Sequence, residues 1–267
     1  MPSTFEALFL PDGDGWMPTE ASLGPWGADL LHGGAVSALA IALMEDEADD
    51  DYEAVRYSAD FIRALPLRKL DADVRVVRKG NRLELIECEI GSDGKLVARC
   101  SLVRVRPQPV ELPEGAPTPH DQAPPDTPEE MHEAPRFDPS RTFFVGAGIE
   151  MRVPDPGQFG GGMAWYRLML PAMPGRKPSP TAQAAAAADF GNGVSGFRST
   201  EFIPVSFPNA DLVLHLSRQP RGEWIRLEAI SEWRPDGIGL ARGRLGDREG
   251  VFGVSEQSLV LSTAAPR

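Results

Sequence analysis

The two halves of this chain carry the same order of predicted elements, and this internal repeat constrains the fold more than any single motif. In the first half, apolar residues at helical spacing between His32 and Glu45 precede four strand-like segments. In the second half, a helix is predicted from Ser179 to Phe197, with Ser179 as N-cap and Pro180 at its first position, and four strand-like segments follow. A hairpin precedes the second helix, and a shorter equivalent precedes the first. The pattern predicts an α+β fold in which an antiparallel meander wraps around one central helix, twice over.

A proline-rich acidic segment separates the two halves. Ten of the 26 prolines fall in the 33 residues from Pro107 to Pro139, together with eight acidic residues. Because X-Pro bonds disfavour helix and remove backbone donors, we expect this segment to run extended over the surface. The predicted organisation is an N-terminal unit over residues 1–106, a linker over 107–139 and a C-terminal unit over 140–267.

The composition excludes several classes of partner. The chain has 27 Lys and Arg against 39 Asp and Glu, and no basic cluster interleaved with aromatic residues, so we expect no nucleic-acid partner. No apolar stretch approaches the roughly 20 residues that span a bilayer, so we expect no membrane insertion. The two cysteines, Cys88 and Cys100, are too few for a disulfide framework or a cysteine-rich metal site, and they fit a cytoplasmic location.

Asp189 is the first candidate for chemistry. On a helix it shares a face with Ala182, Ala185 and Ala186. A carboxylate on such a small apolar face is costly to bury unless it is hydrogen-bonded, and this setting is typical of a general base. The alternative is that Asp189 caps the helix end near Gly191 or faces solvent.

The His32-Gly33-Gly34 turn is the second candidate. Glycines at a helix start let a ligand approach backbone N–H groups, which carry the positive end of the helix dipole and could stabilise an oxyanion. The alternative is a tight turn that packing requires. For His32, an orienting role in the loop is the simpler interpretation.

Several motifs occur in a defined order: the His-Gly-Gly turn, Arg-Lys-Gly-Asn-Arg at 78–82, the linker, a second helix ending in Asp, and the segments NADLVLHL and SEQSLVL. Together they resemble the TesB-like (type II) acyl-CoA thioesterases, a family with the double-hotdog fold. The resemblance implies hydrolysis of a fatty acyl-CoA by water that an Asp, a Thr or Ser, and a Gln hold. The matching positions are Asp189, Asn209 and Gln257. Asn209 replaces the hydroxyl residue, but an amide can also bond to water, so the change bears on rate more than on reaction class.

The resemblance also implies how the chain works as a whole. The substrate would bind at His32, Gly33 and Gly34, no metal or other cofactor would be needed beyond the coenzyme A of the substrate, and chains would associate into at least a homodimer. By comparison of the two halves, the counterparts of Asp189, Asn209 and Gln257 are Ala38, Ser58 and Cys100, which predicts one active site per chain.

Three alternatives stay open on the sequence. Gln257 could be an exposed strand residue. The chain could be a non-catalytic or slow acyl-CoA or lipid-binding hotdog protein, an interpretation that Asn209 favours. It could also be a hotdog hydratase or dehydratase, although no predicted helix carries the Asp and His pair that such chemistry uses.

Overall fold

The computed structural model of this protein describes residues 5–27, 29–48, 50–117, 122–135, 138, 140–156, 162–195 and 205–263.

The first half contains one long helix and four long strands, as predicted, preceded by a small separate ribbon. The elements are β1 Phe9–Asp12, β2 Gly15–Pro18, α1 Gly33–Asp46, β3 Glu53–Phe61, β4 Asp71–Lys79, β5 Leu83–Ser92 and β6 Lys95–Val105. His32 caps α1, since its Nδ1 accepts a hydrogen bond from the Gly34 amide at 3.1 Å. Nearly every α1 residue is buried, which is typical of a helix enclosed by a sheet.

The second half repeats this arrangement behind a hairpin. The elements are β7 His132–Glu133, β8 Ile149–Val153, β9 Met163–Leu168, α2 Pro180–Ala188, α3 Gly191–Val194, β10 Asp211–Leu216, β11 Ile225–Trp233, β12 Ile238–Asp247 and β13 Gly250–Val260. Ser179 caps α2 as predicted, because its hydroxyl accepts from the Ala182 amide at 3.1 Å. The single helix predicted from Ser179 to Phe197 is instead broken after Ala188 into α2 and α3, and Phe197 lies outside the described residues.

One antiparallel sheet of eleven strands joins both halves in the order β4-β5-β6-β3-β10-β13-β12-β11-β9-β8-β7. The halves meet where β3 pairs with β10, with Ala59 opposite Leu212. The prediction of two four-strand meanders is wrong in one respect: β3 pairs with β6, and β10 with β13, so only the last three strands of each half form a meander. The connections after β3 and β10 are too long for tight hairpins, and they let each following strand cross to the far side of its helix.

The two helices pack against each other in opposite directions inside this sheet. Gly34 at the start of α1 lies against Ala186 near the end of α2, and a β-carbon at Gly34 would lie only 2.7 Å from the Ala186 carbonyl oxygen. At the other end, Ala42 of α1 lines the same shallow pocket as Ala182 of α2. Small residues therefore permit the close approach of the two helices. Together with the eleven-stranded sheet, this arrangement confirms the expected α+β double hotdog.

The C-terminal part of the predicted linker is attached to the second half. Asp126 accepts hydrogen bonds from Trp165 Nε1 at 2.7 Å and from Arg226 Nη2 at 2.9 Å, and it covers a tryptophan on the outer side of the sheet. Strand β7, which lies inside the predicted linker range, pairs with β8. This segment runs over the surface as expected, and it also extends the sheet.

Candidate active site

Asp189 is the C-terminal cap residue of α2 and is almost completely buried. Its backbone amide still donates to the Ala185 carbonyl at 3.2 Å, so the main chain continues the helix up to this point. The chain then turns through Phe190 into α3. The side chain points to the start of α1, since its oxygens lie within 3.0 Å of where a β-carbon of Gly33 would be. The helix-end alternative is thus correct for the backbone, whereas the solvent-facing alternative is wrong.

His32 contacts Asp189 directly. The Nδ1 atom of His32 lies 2.9 Å from Oδ2 of Asp189, and both side chains are only 2% exposed. A hydrogen bond between these two atoms uses one proton, carried by the ring nitrogen or by the carboxyl oxygen. The imidazole and the carboxyl therefore form a contact that is shielded from water.

The same His32 nitrogen has a second contact, 3.1 Å from the Gly34 amide nitrogen. Nδ1 cannot accept from Gly34 while it donates to Asp189, because a protonated ring nitrogen has no lone pair for the amide. The two contacts are therefore competing uses of one ring nitrogen. A protonated Nδ1 would donate to Asp189 and would leave the Gly34 amide without this acceptor.

Asn209 holds the other oxygen of the carboxyl. Its Nδ2 donates to Oδ1 of Asp189 at 2.9 Å and to the Asp211 carbonyl at 3.0 Å. Because Asn209 is itself held by the Asp211 carbonyl, this hydrogen bond restrains the orientation of the Asp189 carboxyl. The structure thus brings Asn209 to the residue with which the sequence analysis associated it.

Gln257 lies behind Asp189 on β13 and is 1% exposed, so the alternative of an exposed strand residue is wrong. Its Nε2 donates to the backbone carbonyl of Asp189 at 3.2 Å, and its Oε1 accepts from the Asn192 amide at 2.8 Å. The two ends of the amide thus join the C-terminal cap of α2 to the first turn of α3. These contacts position the backbone of Asp189.

Gly33 and Gly34 leave no room for side chains. A β-carbon at Gly33 would lie 2.7 Å from the ring of Phe61 and 2.9 Å from Asp189 Oδ2. The packing explanation of the turn is therefore confirmed, because any side chain would separate the helices. The same close approach places the first amides of α1 beside the carboxyl of Asp189.

Aromatic rings pack beside the imidazole of His32 and form an aromatic wall, which consists of Trp26, Phe144, Tyr166 and Phe190. The ring centroids of Phe190, Phe144 and Trp26 lie 4.3, 5.1 and 5.3 Å from that of His32. Tyr166 stacks on Phe190 at 4.7 Å. Trp26 is 43% exposed, whereas the other three rings are buried, so the wall runs from the surface into the core.

The sequence analysis missed both the His32 and Asp189 pair and the aromatic wall. His32 and Asp189 lie in different halves of the chain, and only the antiparallel packing of α1 on α2 brings them together. No single described helix carries both an Asp and a His of this kind, so the statement that counted against a hydratase stands, although the two residues meet across the helices. Each helix contributes one member of the pair.

Two further features, a metal-binding cluster and a membrane-spanning helix, do not occur among the described residues. The described part of the chain contains no group of three His, Cys, Asp or Glu side chains placed to hold a metal ion. Among the described helices, none is long and apolar enough to cross a membrane.

Solved structures with the same architecture include proteins from three bacteria. A protein assigned as a thioesterase II from Thermobifida fusca YX is 16% identical, with 96% of each chain covered and a TM-score of 0.69. A hot dog fold protein of unknown function from Alicyclobacillus acidocaldarius is 14% identical, with 98% of each chain covered and a TM-score of 0.68. The acyl-CoA thioesterase II TesB2 from Mycobacterium marinum is 15% identical, covers 86% of this chain and 89% of its own, and has a TM-score of 0.62. At sequence identities this low, the structural similarity to these proteins shows the fold of the chain.

Comparison with protein families is more specific. The acyl-CoA thioesterase N-terminal domain matches residues 23–105, and the acyl-CoA thioesterase C-terminal domain matches residues 115–261. Comparison with curated protein sequences gives no match. Since the C-terminal domain alone matches more than half of the chain, the protein belongs to the acyl-CoA thioesterase family and is a thioester hydrolase.

Proposed function

We propose that Asp189 acts as the general base that activates water for hydrolysis of a fatty acyl-CoA. The observation that carries this proposal is the buried carboxyl of Asp189, with His32 on one oxygen and Asn209 on the other. A carboxyl held in this way needs little reorganisation to take a proton from water. The family match supplies the substrate class, an acyl-CoA thioester.

The reaction then proceeds in two steps. As the water oxygen bonds to the thioester carbon, its proton passes to the pair formed by Asp189 and His32, and the carbonyl oxygen becomes an oxyanion. The tetrahedral intermediate collapses with cleavage of the C–S bond, and the proton held by the pair passes to the departing sulfur of coenzyme A, which restores the pair. The products are the free acid and coenzyme A, and we propose that no cofactor takes part.

The amide of Gly34 is the proposed oxyanion donor. It lies at the N-terminus of α1, where the helix dipole favours negative charge. Because Gly34 bonds to Nδ1 of His32 only while that nitrogen is unprotonated, a His32 that donates to an ionised Asp189 leaves the amide available. The carboxylate that takes the proton from water and the free Gly34 amide would thus belong to the same state of the pair.

Two alternatives differ from this proposal in their products. A non-catalytic acyl-CoA or lipid-binding protein would release no thiol, whereas a hydratase would convert an enoyl-CoA to its hydroxyacyl-CoA with the thioester intact. Thiol release from a panel of acyl-CoAs, with product analysis on an enoyl-CoA, separates the three. Release of thiol from saturated acyl-CoAs supports the proposal, and its complete absence would refute it.

We propose that the chain works as at least a homodimer in the cytoplasm. Ile230, Ile238, Val254 and Val260 are exposed on strands β11 to β13, and Ile238 lies opposite Val260. A second copy on this face would cover these exposed apolar side chains, which alternate with charged residues such as Arg242 and Glu256. Sedimentation at micromolar concentration should therefore give a species larger than the 28.9 kDa chain.

The buried free thiols of Cys88 and Cys100 fit a reducing compartment.

A further inference from the structure

Tyr166 carries a buried hydroxyl that the proposed reaction does not use. The residue lies on β9, is fully buried, and its Oη has no hydrogen-bond partner among the residues that the structure describes. A buried polar group without a partner is destabilising, and such groups are rare in native proteins. A hydroxyl in this state is suited to a partner that arrives with a ligand.

Tyr166 lies beside the reacting centre. Its ring stacks on Phe190 with an interplanar angle of 23°. Phe190 directly follows Asp189 in the chain and packs on the imidazole of His32. Tyr166 is therefore a fully buried ring of the aromatic wall, one ring removed from the imidazole of His32 and joined to it through Phe190.

The state of the hydroxyl determines what it can recognise. Burial raises the pKa of Tyr166 far above its usual value, so the group stays neutral and can donate a hydrogen bond. A saturated acyl chain offers no acceptor. A carboxylate on the chain would carry a full charge into an apolar wall, which is unfavourable without a paired cation. The matching partner is a neutral oxygen.

We propose that Tyr166 is a specificity residue that favours acyl groups with a hydroxyl or keto oxygen beyond the thioester carbonyl, by donating a hydrogen bond to that oxygen. This inference rests on the proposed thioesterase function, and it adds a substrate class to it. A site that hydrogen-bonds a substrate oxygen discriminates against the analogue that lacks it, because the buried hydroxyl is then left unpaired.

The experiment compares matched substrate pairs in the full-length protein and in Tyr166→Phe. The pairs are 3-hydroxybutyryl-CoA with butyryl-CoA, 3-hydroxyoctanoyl-CoA with octanoyl-CoA, and 8-hydroxyoctanoyl-CoA with octanoyl-CoA. The readout is kcat/KM for the hydroxyacyl substrate divided by kcat/KM for its unsubstituted partner. We expect Tyr166→Phe to lower this quotient by roughly 3- to 10-fold in at least one pair, the size of one neutral hydrogen bond.

Tyr57→Phe is the matched control. Tyr57 is equally buried, but its hydroxyl donates to Cys100 Sγ at 3.4 Å in the first half of the chain. We expect this variant to leave the quotient unchanged and to lower the melting temperature, whereas Tyr166→Phe should not lower it. An unchanged quotient in all three pairs with Tyr166→Phe would overturn the inference, and a lower melting temperature beside it would show that the hydroxyl is bonded within the fold. If the parent protein hydrolyses none of the substrates, the proposed function fails instead.

Discussion

Nδ1 of His32 lies 2.9 Å from Oδ2 of Asp189, and this contact joins the cap of α1 to the cap of α2. The sequence analysis gave His32 only an orienting role in its loop, which implies a mild effect of its loss. The contact changes that expectation, because removal of the imidazole leaves a buried carboxyl oxygen without its partner.

His32→Asn separates the two roles of this residue. Asn is a favourable N-cap, so this variant should keep the cap on α1 while losing the imidazole beside Asp189. We expect thiol release from acyl-CoA to fall by about 100-fold, in a protein that still folds but has a lower melting temperature, because the Asp189 carboxyl loses its partner. His32→Ala loses the cap as well, and its free energy of unfolding should be lower by about 1 kcal/mol more. Full activity in a folded His32→Asn protein would rule out a part for the imidazole.

Asn209 should contribute through its bond to Asp189. In Asn209→Ala, the carboxyl loses the donor on Oδ1, and we expect thiol release to fall by about 10-fold or more. Asn209→Thr introduces the type of hydroxyl donor that the family resemblance led us to expect, so its activity should exceed that of the alanine variant. Equal steady-state rates for the parent and the alanine variant would show that this bond is not needed.

Gln257 should affect stability more than chemistry. Gln257→Ala leaves the Asn192 amide and the Asp189 carbonyl without partners, so we expect the free energy of unfolding to fall by roughly 1–3 kcal/mol. Thiol release should decline less than in a variant of Asp189 itself. Gln257→Glu, which keeps an acceptor for Asn192, serves as the control in denaturant titrations. A stable but inactive Gln257→Ala would instead assign Gln257 to the water.

Cys88 and Cys100 lie opposite each other on β5 and β6, and both thiols are buried. Burial raises the pKa of Cys100 to about 12, against 9.0 for a free thiol. The folded protein therefore retains a proton that the unfolded chain loses above pH 9, so stability should decrease as the pH rises from about 9 towards 12. Near neutral pH, a disulfide reagent such as DTNB should react with these thiols only after unfolding. Rapid reaction of the native protein would contradict their burial.

The sequence was most informative about features that depend on local order. The cap at Ser179, the small residues around Asp189 and the repeated succession of elements all follow from neighbouring residues, and the structure confirms them. The partners of Asp189 depend on how two distant helices pack, and no spacing within one helix reveals this. The pairing of β3 with β10 likewise depends on contacts between the halves.

The aromatic wall was unpredictable for the same reason. Trp26, Phe144 and Phe190 come from three separate segments of the chain, and they meet only around the imidazole of His32. Each residue alone resembles an ordinary apolar side chain. Their common site becomes evident only once the position of α1 is known.

The central claim is that the carboxyl of Asp189 activates water in acyl-CoA hydrolysis. The most direct test is the steady-state rate of thiol release by the parent protein and by Asp189→Asn, with circular dichroism and thermal melting to show that both are folded. Asparagine has nearly the same shape but cannot accept the proton, so we predict a loss of about 100-fold or more in rate with the fold intact. A folded Asp189→Asn protein that hydrolyses acyl-CoA at the parent rate would contradict the mechanism.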